Sequence, residues 1–194
     1  GHVHPKLKRI AAVRKQLGFP TIFNAIGPLT NPVSLTYQMV GVYDERLLKL
    51  YGEVLLKAGR KRAAIIHGAG NMDEASLAGE NKLVLVHEGK ITEESLHPHD
   101  VGLELSDNNN LRGGSPAENA KKMIDIFQGE QNPYRDAVLL NAGIGLFVSE
   151  SVSTIREGVS YAAELVDSGA TYKKLLEVRG RGNMEGSSVG CQLI

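Results

Sequence analysis

Residues 36–67 read TYQMVGVYDERLLKLYGEVLLKAGRKRAAIIH, two apolar runs separated by an amphipathic segment. The β-branched and aromatic residues at 36–43 predict a largely buried strand, and residues 63–67 predict a second strand. Between the two runs, Asp44 is placed to cap a helix whose apolar residues recur at helical spacing, and Gly59 is placed to end it. Strand–helix–strand order predicts parallel pairing through a right-handed crossover.

The rest of the chain extends this pattern in both directions. Residues 83–87 and 91–96 predict a hairpin on a sheet edge, because Glu88-Gly89-Lys90 separates them. Three helices are predicted after residue 115. The first begins at Ser115-Pro116-Ala117-Glu118, and the others cover residues 134–149 and 151–167. The predicted fold class is therefore α/β, with a mostly parallel central sheet, an edge hairpin and covering helices.

The predicted domain covers residues 4–178 and includes a further predicted helix at 5–17. Residues 1–3 resemble the remnant of a cleaved tag, since the chain begins Gly1-His2. Residues 179–194 show no regular hydrophobic pattern over most of their length, so we expect a disordered tail.

The composition excludes several classes of function. Lys plus Arg number 22 and Asp plus Glu number 22, so bulk charge does not attract nucleic acid or an anionic membrane. Cys191 is the single cysteine and cannot form an intramolecular disulfide, which favours a reducing compartment. With no apolar run approaching the roughly 18 residues of a membrane span, we expect a cytoplasmic location.

Asp73 and Glu74 are adjacent carboxylates that follow the predicted strand at 63–67. In open α/β sheets, ligands bind at the carboxyl ends of strands, where this pair is expected to lie. Mg²⁺ is usually held by one or two carboxylates together with water and substrate phosphates, so the pair is a candidate magnesium site. The alternative is that Asp73 only caps the segment that follows it.

Two further features each allow a functional and a structural interpretation. Residues 23–32, FNAIGPLTNP, combine consecutive turns with polar and apolar side chains, which suits either a pocket wall for a small ligand or a connector. Arg14 lies near the end of the predicted first helix. It could stabilise the helix dipole or grip a carboxylate with two hydrogen bonds.

These motifs, taken in order, resemble the central and C-terminal region of anthranilate phosphoribosyltransferases. The resemblance runs from about His4 to about Val178 and includes the following stretches: HP at 4–5, VRKQLG at 13–18, FNAIGPLTNP at 23–32, GVY at 41–43, HG at 67–68, MDEASL at 72–77, GGSPAENA at 113–120 and RDAVLLNA at 135–142. The stretch at 23–32 is the most specific of these.

The resemblance implies transfer of phosphoribose from phosphoribosyl pyrophosphate (PRPP) to the amine of anthranilate, with release of pyrophosphate, in tryptophan biosynthesis. It implies Mg²⁺ as cofactor and needs no protein nucleophile, because positioning and neutralisation of the leaving group carry such a transfer. The implied metal-binding residues are Asp73 and Glu74. The implied substrate-binding residues are His4, Arg14, Asn24, Gly27 and Pro28, with Arg14 on the anthranilate carboxylate.

The resemblance also implies an N-terminal helical domain, with a glycine-rich pyrophosphate loop, that has no match in this sequence. The family's full-length enzyme is expected to be a homodimer. The N-terminal helical domain is expected to be the partner of the domain in this chain, and we expect the chain alone to be inactive. Two alternatives remain: a pyrimidine nucleoside phosphorylase of the same architecture, and a partner subunit without catalytic activity.

Overall fold

The computed structural model describes Val13, residues 16–19 and residues 21–186. Within this part of the chain, four strands form one sheet in chain order: β1 (Tyr37–Gly41), β2 (Arg62–His67), β3 (Asn81–His87) and β4 (Lys90–Leu96). The predicted strands and the predicted hairpin are confirmed. The turn between β3 and β4 consists of Glu88 and Gly89, both with positive φ.

The sheet is mixed, which corrects the expectation of a mostly parallel one. β1 and β2 are parallel, with Tyr37 opposite Arg62, but β2–β3 and β3–β4 are antiparallel. The crossover rule applies only where a helix connects two strands. A helix connects β1 to β2, whereas residues 68–80 return to the sheet without one and bring β3 back in the opposite direction.

Six α-helices lie between residues 21 and 186: α1 (Ile22–Ala25), α2 (Leu47–Lys57), α3 (Pro116–Phe127), α4 (Pro133–Val148), α5 (Ile155–Asp167) and α6 (Ala170–Gly186). α3 begins with the predicted capping box, since the Ser115 hydroxyl accepts from the Glu118 N–H and the Glu118 carboxylate accepts from the Ser115 N–H. The carboxylate of Asp44 instead accepts from the Arg46 N–H, two residues along, so it forms a turn just before α2.

The helices cover both faces of the sheet, as predicted. Alternate residues of the strands contribute to two buried clusters, because successive strand side chains point to opposite faces. On one face, Val40 and Ile65 pack with Leu48, Tyr51 and Leu55 of α2. On the other, Ile66 and Leu85 lie in the cluster that contains Leu140 and Ile144 of α4 and Val159 of α5.

α4 and α5 approach so closely that their backbones touch at a pair of glycines. A Cβ added at Gly158 would lie 2.3 Å from the carbonyl oxygen of Gly143, and one added at Gly143 would lie 2.7 Å from the Val159 nitrogen. The many small residues of α4 therefore serve this contact as well as helix formation.

The last described helix extends further than the sequence predicted. α6 continues to Gly186, so residues 179–186 are helical where a tail without regular structure was predicted, and residues 187–194 lie outside the described part. Most of the predicted helix at 5–17 also lies outside it. None of the described helices is long and apolar enough to cross a membrane.

β4 is the outer strand of the described sheet, beyond β3. Its side chains at Lys90, Glu93 and Glu94 are exposed, whereas Leu96 at its end is buried. The strand is therefore polar along most of its length.

Candidate functional site

Asp73 and Glu74 lie in the loop that follows β2, at the carboxyl ends of β1 and β2. The loop begins with a tight turn that the main chain closes on itself: the Gly68 N–H donates to Met72 O over 2.9 Å, and the Met72 N–H donates to Gly68 O over 3.2 Å. Gly70 and Asn71 both have positive φ, which this turn requires. No helix follows Asp73 before β3, and the Asp73 carboxylate accepts no hydrogen bond from the described residues, so in this structure it does not cap the segment that follows it.

Two glycines let the acidic loop pack directly on the sheet. A Cβ at Gly41, the last residue of β1, would lie 1.5 Å from the carbonyl oxygen of Asp73, and one at Gly68 would lie 2.0 Å from that of Glu74. Real side chains cannot approach so closely, so only glycine fits at either position. The main chain of the acidic pair is thus placed by the ends of β1 and β2.

The negative charges of Asp73 and Glu74 are not neutralised by any described residue. The pKa of Glu74 is raised above its usual value, first by burial and then by the negative charge of Asp73. Neither carboxylate forms an ion pair or hydrogen bond with another described residue. Two unneutralised carboxylates side by side fit Mg²⁺, which binds oxygen ligands.

The described residues do not complete a coordination sphere around such a metal. No group of three or more His, Cys, Asp or Glu residues in this part of the chain is arranged to hold one. Mg²⁺ commonly keeps several waters and binds substrate phosphates in addition to one or two carboxylates. The pair therefore suits a metal that arrives with a phosphorylated substrate.

A third carboxylate at this edge of the sheet, Asp44, is already paired. Its oxygens accept from Arg46 Nη2 at 2.6 Å and from Arg46 Nε at 3.0 Å, and these bonds lower the pKa of Asp44 to about 2. The buried His67 at the end of β2 donates its Nδ1–H to the Val42 carbonyl over 2.9 Å. This bond leaves Nε2 as the second ring nitrogen for other partners.

The polar loop at 23–32 forms α1 and a short 3₁₀ turn, Gly27–Leu29. The Tyr51 hydroxyl of α2 donates to the Ala25 carbonyl, and Gln38 Nε2 of β1 donates to the Pro28 carbonyl over 2.7 Å. These bonds hold the loop against the α2 side of β1, with Gly27 and Pro28 exposed.

The structure brings only part of the predicted site together. Gln38, which holds Pro28, and Gly41, which contacts Asp73, lie three residues apart on β1, so the two anchor points are separated by about 10 Å. His4 and Arg14 lie outside the described residues, as does the side chain of Asn24. The proposed grip on a carboxylate therefore stays a prediction.

Sequence reasoning missed the asparagines that hold the acidic loop. Asn81, at the start of β3, is fully buried, and its Oδ1 accepts from the Ser76 N–H at 2.7 Å while Nδ2 donates to Ser76 O at 3.0 Å. Asn108 accepts from the Ser76 hydroxyl at 2.6 Å and donates to Ala69 O at 2.9 Å. The sequence does contain a sign of the contact between β1 and the acidic loop at Gly41, because a glycine within a strand often marks a close backbone approach.

The chain is similar to known proteins over most of its length. The model of the glycosyl transferase family, a/b domain, matches residues 1–172. The chain belongs to this family. An anthranilate phosphoribosyltransferase from Exiguobacterium sibiricum is 53% identical over 173 residues, which are 89% of this chain and 51% of that protein. One from Oceanobacillus iheyensis is 48% identical over 174 residues, 90% of this chain and 51% of that protein.

Solved structures show the same similarity. Anthranilate phosphoribosyltransferase from Thermus thermophilus matches with a TM-score of 0.83 and 38% identity, over 90% of this chain and 51% of that one. The Saccharomyces cerevisiae enzyme in complex with PRPP and Mg matches with a TM-score of 0.80 and 28% identity, over 87% of this chain and 49% of that one. The resemblance read from the sequence is confirmed, and the chain spans about half the length of these relatives.

Proposed function

We propose that this chain is the α/β part of an anthranilate phosphoribosyltransferase. The observation that carries the proposal is the pair Asp73–Glu74, held at the carboxyl ends of β1 and β2 by Gly41 and Gly68 without a cationic partner among the described residues. The similar yeast protein is described in complex with PRPP and Mg, a ligand set that such a pair suits.

In the proposed reaction, a bond forms between the amine nitrogen of anthranilate and the anomeric carbon of the phosphoribose. The bond from that carbon to pyrophosphate breaks, and the amine proton passes to water. Mg²⁺ bound with PRPP would supply charge neutralisation on the leaving group. Asp73 and Glu74 would hold that Mg²⁺ through their carboxylates and so place the diphosphate end of PRPP, and Arg14 would orient anthranilate by its carboxylate.

His4, Asn24, Gly27 and Pro28 are proposed to line the path of anthranilate beside Arg14. Gly27 and Pro28 of the neutral turn are exposed, and the turn is fixed to β1 through Gln38, so it offers a rigid wall without an added charge. A rigid wall favours catalysis because it holds the amine in line with the anomeric carbon.

The activity is proposed to need the half of the relatives that this chain does not match. The test uses the chain alone, and the chain together with the unmatched half of the Exiguobacterium sibiricum protein, expressed separately or fused to it. With anthranilate, PRPP and Mg²⁺, we expect fluorescent phosphoribosylanthranilate only from the combination, called the reconstituted enzyme below.

Two other outcomes would contradict the proposal. Steady turnover by the chain alone, in a preparation free of host enzyme, would show that the second half is dispensable. Phosphorolysis of uridine or thymidine by the reconstituted enzyme, without use of anthranilate, would assign the chain to nucleoside phosphorylases instead. The unmatched half without this chain serves as the blank.

Asp73→Asn and Glu74→Gln test the metal role of the acidic pair. We expect turnover of the reconstituted enzyme to fall about a hundredfold in each variant, because each change removes a charged ligand from the leaving-group metal. Raising the Mg²⁺ concentration is expected to restore part of the loss, and this titration is the measurement.

Thermal unfolding of the same variants provides the control. Folding raises the pKa of Glu74. The contribution of Glu74 to the free energy of unfolding is therefore most favourable below the pKa that Glu74 has in the unfolded chain, and it is lost as the pH rises through the raised pKa of the folded chain. At pH 7 the Glu74 carboxylate therefore opposes folding, and Glu74→Gln is expected to raise the melting temperature slightly. A large fall in melting temperature with unchanged turnover would show a structural role.

Arg14→Lys tests the predicted grip on anthranilate. Lysine keeps the charge but loses the planar pair of hydrogen bonds, so we expect the KM for anthranilate to rise about tenfold while the KM for PRPP changes little. If Arg14 only stabilises a helix dipole, lysine serves almost as well and both constants stay unchanged. Steady-state kinetics of the reconstituted enzyme separate the two roles.

A further inference from the structure

Asn141 of α4 reaches across to the residue that follows the acidic pair. Its Oδ1 accepts from the Ala75 N–H at 3.0 Å, and its Nδ2 donates to the Ala75 carbonyl at 2.8 Å. The same Nδ2 donates to the Ala137 carbonyl of α4 at 3.0 Å. One amide side chain thus satisfies both main-chain polar groups of Ala75, as a neighbouring strand would.

This contact fixes the direction of the acidic pair because peptide units are planar. The Ala75 N–H and the Glu74 carbonyl belong to one peptide plane, so holding the N–H also sets that carbonyl. The Glu74 carbonyl is the group that packs against Gly68. Asn141 and Gly68 therefore hold the same peptide unit from two sides.

The hydrogen bonds of Asn81 act one residue later. Asn81 binds both main-chain groups of Ser76 and is completely buried among β3, β4 and the loop. Asn141 is half-buried and brings α4, a separate element, to the peptide that carries Glu74. Ala75 directly follows Glu74, and among the described residues no other side chain forms a hydrogen bond to a residue adjacent to the acidic pair.

We propose that Asn141 is a positioning residue for the metal-binding pair, holding the Glu74–Ala75 peptide so that the carboxylates of Asp73 and Glu74 face one cation. The inference rests on the proposed function for the identity of the substrate, but the placement of the carboxylates is independent of it. Asn141 touches neither metal nor substrate and acts through the main chain of Ala75.

The test compares Asn141→Ser with Asn132→Ala. In α4, a serine at 141 can still donate to the Ala137 carbonyl four residues back, but it is too short to reach Ala75. Asn132 caps α4 by accepting from the Arg135 N–H, so its loss weakens the same helix without touching the acidic loop. The two variants separate positioning from general stability of α4.

Mn²⁺ is the probe, because its paramagnetism broadens the amide signals of residues near it even when binding is weak. In the full chain without substrate, we expect Mn²⁺ to broaden the amide signals of residues 73–75. Asn141→Ser is expected to lower the affinity for Mn²⁺ about tenfold, which is the lower end of the effect of replacing a residue that supports a metal ligand. Asn132→Ala is expected to leave the affinity unchanged. Equal affinities in both variants would show that Asn141 is structural only.

Two further measurements test the contact between Asn141 and Ala75. Hydrogen exchange of the Ala75 amide in the unmodified chain needs no variant, and an unprotected amide would overturn the contact itself. In the reconstituted enzyme, Asn141→Ser is expected to raise the Mg²⁺ requirement while the KM for anthranilate is unchanged. If the unmodified reconstituted enzyme makes no product but Mn²⁺ binding responds as expected, the proposed function fails and the positioning role stands. If Mn²⁺ does not broaden the signals of residues 73–75, the positioning role is overturned.

Discussion

Gly41→Ala is expected to lower the free energy of unfolding by about 3 kcal/mol and to remove metal binding at the acidic pair. The added Cβ would lie 1.5 Å from the Asp73 carbonyl oxygen, with the Asp73 carbonyl carbon at 2.4 Å. Both atoms belong to the main chain, so no side-chain rotation relieves the overlap. Either β1 or the acidic loop must move, and each movement displaces Asp73 and Glu74 from the sheet.

Urea unfolding and Mn²⁺ broadening of residues 73–75 measure the two effects. Gly180→Ala is the matched control, because it lies in α6 with no atom near its added Cβ, and alanine there favours a helix. Alanine also suits a strand better than glycine does, so the loss at Gly41 arises against local preference. A Gly41→Ala chain of unchanged stability that still binds Mn²⁺ would show that the loop moves aside without cost.

Gly143→Ala is expected to cost about 3 kcal/mol by separating α4 from α5. Its Cβ would meet the Val159 nitrogen at 2.7 Å and Val159 Cγ2 at 2.6 Å. The valine methyl can rotate, but the nitrogen cannot. α5 would have to shift away from α4, and the packing of Ile144 and Val159 in the core would loosen.

Gly145→Ala is the control for this prediction. It lies two residues further along α4 and has no atom within 4 Å of its added Cβ, so we expect a gain of about 0.5–1 kcal/mol. Gly158→Ala meets the same contact from α5. The double variant at 143 and 158 is expected to lose less than the two single losses added together, since one shift of α5 relieves both overlaps. Simple additivity in urea unfolding would contradict this account.

Local patterns were sufficient to predict most helices and strands. Apolar residues at helical spacing located α2, the capping box at Ser115 located the start of α3, and Glu88-Gly89 located the hairpin turn. The direction of β3 was not predictable in this way, because strand pairing depends on the path of residues 68–80. That segment contains no helix, and turn residues alone do not tell whether a chain reverses beside its neighbour or crosses over.

The residues of the candidate site also differ in whether local sequence could predict them. The position of Asp73 and Glu74 at the end of β2 followed from chain order, since the carboxyl ends of strands collect ligands. Asn141 did not stand out, because an asparagine inside a helix gives no sign of a partner 66 residues away. Asn81 was missed because asparagine is typical of turns, and its burial depends on contacts with the loop and β4.

The charged outer strand β4 bears on how copies of this chain behave when they are concentrated. An open strand edge offers unpaired N–H and C=O groups to any extended segment, which is how sheets grow into aggregates. Lys90, Glu93 and Glu94 are exposed along this edge, so a second chain pairing here would bring charged side chains against one another and strip their water. The edge thereby protects the apolar strand β3 behind it from fibril-like addition during expression and refolding.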